Sequence, residues 1–181
     1  DIQAFINEHP FSMFHWMILA LCFITVAMDG FDTAIFGFIA SDLVQEWGVE
    51  KSALGPVMSA ALVGLAVGAL TAGPLADRIG RKKVLIMSIL VFGGFSLLTA
   101  FASSLNQLTL LRFLTGLGLG AAMPNAATLM SEYAPERRRA LMVNLMFVGF
   151  PMGSSLGGFL SAWMIPHYGW QSVLVLGGVM P

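Results

Sequence analysis

Long apolar runs recur along this sequence at near-regular intervals, and they leave few ways for it to fold. A helix that crosses a membrane needs about 20 largely apolar residues. Five stretches reach that length, at 14–40, 54–76, 84–102, 108–130 and 140–165, and 170–181 begins a sixth. Twelve residues at about 1.5 Å each reach about 18 Å into a hydrocarbon core about 30 Å thick. The last segment therefore does not cross by itself. The expectation is an all-α membrane protein, with 1–181 forming one six-helix bundle whose sixth helix is truncated. The chain opens on Asp1 rather than Met, so we expect a fragment cut at both ends.

Composition removes most other classes. Hydrophobic residues make up 57% of the chain and charged ones 10%, against about a quarter charged in soluble domains. A soluble fold of 181 residues has too little interior for that much apolar surface, which excludes a soluble enzyme and a disordered tail. Net charge is -1, so no basic footprint for nucleic acid exists. The single cysteine, Cys22, excludes a disulfide scaffold and a cysteine zinc site. His9, His15 and His167 have no metal-ligand spacing. No GxSxG, HExxH or P-loop occurs, so neither hydrolysis nor an ATP-driven pump is supported. We expect no enzyme, no metal and no organic cofactor. Residues 1–13 contain Asp1 and Glu8 but no Lys or Arg, which argues against a signal peptide.

Orientation follows from the cations in the short loops. Arg78, Arg81, Lys82 and Lys83 follow the second run, and Arg137, Arg138 and Arg139 follow the fourth. The opposite loops hold Lys51 alone, beside Asp42, Glu46 and Glu50. Seven cations against one places the N-terminus and both basic loops in the cytoplasm.

Three charges fall inside the runs. Asp29 and Asp32, at i and i+3, share one helix face. A charge near a helix centre costs about 2.5–3.5 kcal/mol on insertion scales, so such residues face a cavity or a partner. Two carboxylates this close repel each other, and at least one of them is expected to exchange a proton. The alternative is that the first span ends near Met28 and leaves both in an outer loop. Arg112 lies about one turn inside the outer end of the fourth run. It is positioned to pair with Asp29 or Asp32, to grip an anionic substrate, or to snorkel to the headgroups.

Small residues recur every fourth position. Gly116, Gly120 and Pro124 follow Arg112 on one face. Ala60, Gly64, Gly68 and Ala72 line the second run, and Gly149, Gly153, Gly157 and Ser161 the fifth. Such stripes let helix backbones approach closely, and Pro124 is expected to bend its helix. Trp16, Trp163, Tyr168 and Trp170 sit near span ends and read as an interfacial aromatic belt. Cys22 reads as a filler facing lipid or a neighbouring helix.

The loop Gly73-Pro74-Leu75-Ala76-Asp77-Arg78-Ile79-Gly80-Arg81-Lys82-Lys83 resembles the signature between helices two and three of the major facilitator superfamily. The Arg112-x3-Gly116-x3-Gly120-x3-Pro124 run is similar to that superfamily's helix-four motif. Asp29-Gly30-Phe31-Asp32 resembles the DGxD signature of the aromatic acid:proton symporters. The stretches 54–83 and 111–137 look close to bacterial transporters of 4-hydroxybenzoate and protocatechuate.

The resemblance implies a twelve-helix fold with substrate held between two halves, of which this chain supplies the N-terminal one. The other half would be its partner, together with the lipid bilayer of a bacterial inner membrane. It implies proton-coupled uptake of an aromatic carboxylate, with the proton as coupling ion. Asp29, Asp32, Arg112 and Glu132 would serve proton coupling and substrate handling. Gly73, Asp77, Arg78, Gly80 and Arg81 would form the conformational switch loop. Two departures stand out. Ser41 replaces a Pro usual after Phe-Ile-Ala, and Phe150 separates Gly149 from Pro151 where drug/proton antiporters carry Gly-Pro. The second favours symport, although export of an organic compound by antiport stays open as the alternative, and a non-transporting sensor or scaffold is the rival of another class.

Overall fold

A computed structural model describes residues 12–180; His9 lies outside them. Among these described residues, seven α-helices and two 3-10 turns follow in order. They are α1 (Met13–Trp47), α2 (Gly55–Ile79), α3 (Arg81–Thr99), α4 (Leu105–Tyr133), α5 (Arg139–Phe147), α6 (Gly149–Tyr168) and α7 (Trp170–Val179). The 3-10 turns are Lys51–Leu54 and Glu136–Arg138. No strand occurs among the described residues.

Helix α1 has 35 residues, about 52 Å at 1.5 Å each, and so overshoots a hydrocarbon core about 30 Å thick. It runs unbroken through Ser41, whose amide a Pro would lack and whose hydroxyl donates to the Phe38 carbonyl at 3.3 Å. Gly48, at φ 62°, ends it. The aspartates are therefore helical and buried, which removes the reading of a span ending near Met28.

The fifth run is two helices rather than one, separated at Val148. Pro151 has no N–H to offer the Phe147 carbonyl four residues back, and its ring crowds that carbonyl. Pro124, in contrast, leaves α4 a single helix, with the neighbouring Asn125 side chain donating to the Ala121 carbonyl at 2.8 Å. Gly80 alone connects α2 to α3, at φ 94°, a backbone region that favours glycine.

By length and hydropathy four segments are able to cross a membrane: Met13–Trp47, Lys51–Ile79, Arg81–Thr99 and Glu136–Tyr168. Helix α4, although 29 residues long, is less apolar because Arg112, Thr115 and Asn125 lie along it; all three are buried against other helices. Polar groups that meet protein rather than lipid explain the weak hydropathy signal.

Two parallel helix pairs carry the architecture, α2 with α4 and α1 with α6. A Cβ added to Gly64 or Gly68 would land on the Phe113 or Leu117 carbonyl, and one on Gly116 or Gly120 on the Ala61 or Leu65 carbonyl. The second pair repeats the device. Gly30 meets the Phe150 carbonyl, while Gly149 and Gly153 meet those of Phe23 and Ala27. Backbones this close gain dispersion contact that no larger residue permits. The predicted stripes in α2, α4 and α6 are thus the pairing faces.

Two apolar clusters fill the bundle. One, around Ile35, Ile39, Leu43, Leu108 and Trp170, occupies the end with the acidic loops. The other, around Cys22, Val26, Met130 and Met146, occupies the end with the basic loops. Cys22 is buried there, against helices. Trp163 and Tyr168 are exposed, as an aromatic belt requires, but Trp170 is not. It is 3% exposed, and its Nε1 donates to Glu46 Oε2 at 2.5 Å while its ring meets Trp47 edge-on. This corrects the belt reading for Trp170, which instead ties the start of α7 to the end of α1.

Candidate functional site

The central charges meet between α1, α2 and α4. Asp32 is 1% exposed and Arg112 3% exposed, so Arg112 does not snorkel to a headgroup. Its Nη1 donates to Asp32 Oδ1 at 3.2 Å and its Nη2 to Oδ2 at 2.6 Å. This is the forked geometry for which guanidinium and carboxylate are shaped. The guanidinium carbon also stands 4.5 Å from the Phe36 ring centroid, within range of a cation–π contact. Such a pair survives burial only when geometry and hydrogen bonds offset the loss of water.

Local packing explains why the partners meet. Gly116, one turn from Arg112, seats α4 on the α2 backbone, and Gly30, two residues before Asp32, seats α1 on the α6 backbone. The first contact sets the depth and rotation of Arg112, the second those of the aspartates. Asp29 is buried at 5% exposure, and its Oδ1 has no hydrogen-bond partner among the described residues. The same holds for Arg112 Nε.

A cleft of about 140 Å³ opens beside the pair. Asp32, Thr33 and Arg112 form its polar part, and Phe36, Met58, Ala61, Leu62, Leu65 and Leu119 its apolar walls. Phe36, Met58 and Leu62 went unrecognised in the sequence. Phe36 carried a faint signal, being one turn beyond Asp32, whereas Met58 and Leu62 looked like any lipid-facing residue of an apolar run.

Glu132 is not part of this group. It stands at the basic end of α4, where Arg81 Nε approaches its Oε1 at 2.6 Å. Arg81 also reaches Asp77 Oδ1 at 3.6 Å. These side chains are 30%, 47% and 70% exposed for Arg81, Glu132 and Asp77, so water and salt reach all three. Arg78 is exposed in the last turn of α2, a favourable place for a cation. Gly73 is exposed too, with nothing described within 4 Å of where a Cβ would stand. The structure thus joins Asp77, Arg81 and Glu132 in one cluster, and Asp32 and Arg112, with Asp29 alongside, in another.

Comparison with known proteins identifies the family and the fold. The family model of the Major Facilitator Superfamily matches residues 22–181. The chain is 61% identical over its whole length to the 4-hydroxybenzoate transporter PcaK of Pseudomonas putida and 58% identical to a gallate transporter of the same organism. It spans 40% of the length of each and corresponds to their N-terminal part. Among solved structures, the inward-open xylose transporter XylE of Escherichia coli superposes with a TM-score of 0.81 at 18% identity, over 92% of this chain and 45% of that one. A multi-pass bundle with buried charges, glycine-paired helices and such relatives identifies the chain as a member of the Major Facilitator Superfamily, a family of membrane transporters and not of enzymes.

Proposed function

We propose that the full-length protein takes up an aromatic carboxylate together with a proton by alternating access. The observation that carries this reading is the buried Arg112–Asp32 fork at the head of a cleft walled by Phe36, Met58 and Leu62. An arginine beside an apolar slot suits a flat ring bearing one carboxylate. Arg112 Nε is not used by Asp32, and Arg112 is the cation that lines the cleft and would attract a substrate carboxylate there. The names of the relatives, with 4-hydroxybenzoate and gallate, point to hydroxylated aromatic acids as the class carried.

A proton on the aspartate pair lowers its repulsion toward the incoming anion, and release follows once the proton leaves. Switching falls to the loop of Gly73, Asp77, Arg78, Gly80 and Arg81 with Glu132, because exposed pairs around one arginine can exchange partners at small cost. The seven cations at that end support a cytoplasmic position for it, in a protein of a bacterial inner membrane on this reading.

The test is uptake of labelled 4-hydroxybenzoate by the full-length protein in vesicles under an imposed pH gradient. Asp32→Asn is expected to abolish accumulation, and retained uphill uptake would defeat the assignment. Movement of substrate out of the vesicle against proton entry would instead select export by antiport.

A further inference from the structure

We infer that Asp29, and not Asp32, takes the co-transported proton, one per substrate carboxylate. The inference rests on the uptake reading above and divides the labour between two residues which that reading treats as a pair.

Their surroundings differ in kind. Both carboxylate oxygens of Asp32 accept hydrogen bonds from Arg112. A proton there would remove an acceptor from the fork and strand a buried guanidinium. Asp29 lies one turn away on the same helix, also buried, with Oδ1 facing no donor among the described residues. A buried carboxylate without a donor is far more costly than the neutral acid in the same place. Asp29 also does not line the cleft that Asp32 and Arg112 share. It sits on α1 between the two apolar clusters, one turn from the cleft-lining Asp32 and itself outside the lining.

The charged neighbours can be enumerated. Asp32 is on α1 itself, as are Asp42 and Glu46 toward its acidic end, where Trp170 donates to Glu46; α4 brings Arg112, with Glu132, held by Arg81, and Tyr133 at the basic end. Helix α5 carries only Arg139 at its start, α6 only His167 and Tyr168 near its end, and α7 no titratable group. His15 and Cys22 lie further along α1 toward the basic end, and Lys51 lies beyond its other end.

Charge counting then gives the coupling. With Asp29 ionised, the trio of Asp29, Asp32 and Arg112 carries one net negative charge. A substrate carboxylate in the cleft beside Arg112 makes it two, next to three buried side chains. A proton on Asp29 restores the original charge. Each ligand thereby favours the other, and by linkage the effect is reciprocal. The proton moves on and off Asp29 with no other bond made or broken.

The experiment uses the full-length transporter in proteoliposomes and labelled 4-hydroxybenzoate, with both gradient-driven uptake and substrate exchange at equal pH measured. In the parent, affinity in exchange should fall by up to about tenfold per pH unit on the alkaline side. Asp29→Asn, an uncharged isostere, should exchange substrate with an affinity that no longer varies between about pH 6 and about pH 8, and should lose uphill accumulation. Asp32→Asn should lose exchange as well. Should the Asp29→Asn protein not fold, Asp29→Glu provides a second arm, expected to stay coupled with a displaced pH profile. Uphill uptake by Asp29→Asn, an undisplaced profile in Asp29→Glu, or pH-independent exchange by Asp32→Asn overturns the assignment. A parent protein without gradient-driven uptake removes the symport reading and this assignment with it.

Discussion

Arg112 and Arg81 hold carboxylates in opposite surroundings. Arg112 grips Asp32 with both partners under 5% exposed, at 4% and 1% for their side chains. Arg81 is shared by Asp77 and Glu132 where all three meet water. Coulomb attraction between unit charges weakens about fourfold between a protein site and bulk solvent. One chemistry therefore yields two devices. The enclosed pair is expensive to separate and sensitive to any added charge, as a coupling site needs. The exposed trio is cheap to rearrange, as a switch between conformers needs. Helix packing makes the difference, since the glycine contacts of α2 with α4 and of α1 with α6 remove water from the first site, and nothing comparable encloses the second.

The sharpest way to break this contrast is to remove one enclosed partner. Arg112→Ala leaves Asp32 buried and uncompensated, and we expect a loss of about 3–5 kcal/mol of stability along with transport. Thermal melts and uptake assays on the full-length protein check both. A loss below about 1 kcal/mol would mean that water reaches the pair. Replacing both partners, as Asp32→Leu with Arg112→Met, should bring stability back to within about 1–2 kcal/mol of the parent while uptake stays absent. That result would separate the fork's part in function from any part in holding the bundle together.

At the other end the effects shrink. Glu132→Gln removes the nearer partner of Arg81 and should change stability by about 1 kcal/mol or less, with its larger signature in transport rate. The smallest expected term is the coupling between Asp77 and Arg81 in a double-mutant cycle, about 0.5 kcal/mol or less and fading in about 1 M salt, where screening reaches within about 3 Å. A salt-resistant coupling would show that this cluster is more enclosed than its exposure implies.

Much of the bundle was legible in the sequence, because lipid imposes long apolar runs and helix pairing imposes small residues at every fourth position. The stripes of Gly64 and Gly68, and of Gly149 and Gly153, became the contact faces they predicted. The choice of Asp32 over Asp29 by Arg112 was not legible. The two aspartates share a face and differ only by one turn of depth, which is decided by how far α4 slides along α2. The break at Val148 was readable in principle from Pro151 and its lost hydrogen bond, but an unbroken apolar run concealed it. Trp170 misled because a tryptophan at a span end reads as a headgroup anchor. Only the fold brings it to Glu46, 124 residues away in sequence.

The fork between Asp32 and Arg112 joins residues 80 apart, and that separation has a consequence for biosynthesis. When α1 leaves the ribosome and enters the bilayer, its countercharge has yet to be translated. The helix must insert with Asp29 and Asp32 unaccompanied, at about 2.5–3.5 kcal/mol each if both are centrally placed, against about 0.3–0.6 kcal/mol returned by each Leu, Ile, Val or Phe. The apolar residues flanking the two aspartates are thus a requirement of the birth of the protein as much as of its finished form. A variant that thins them would fail at the translocon before the site ever had the chance to assemble.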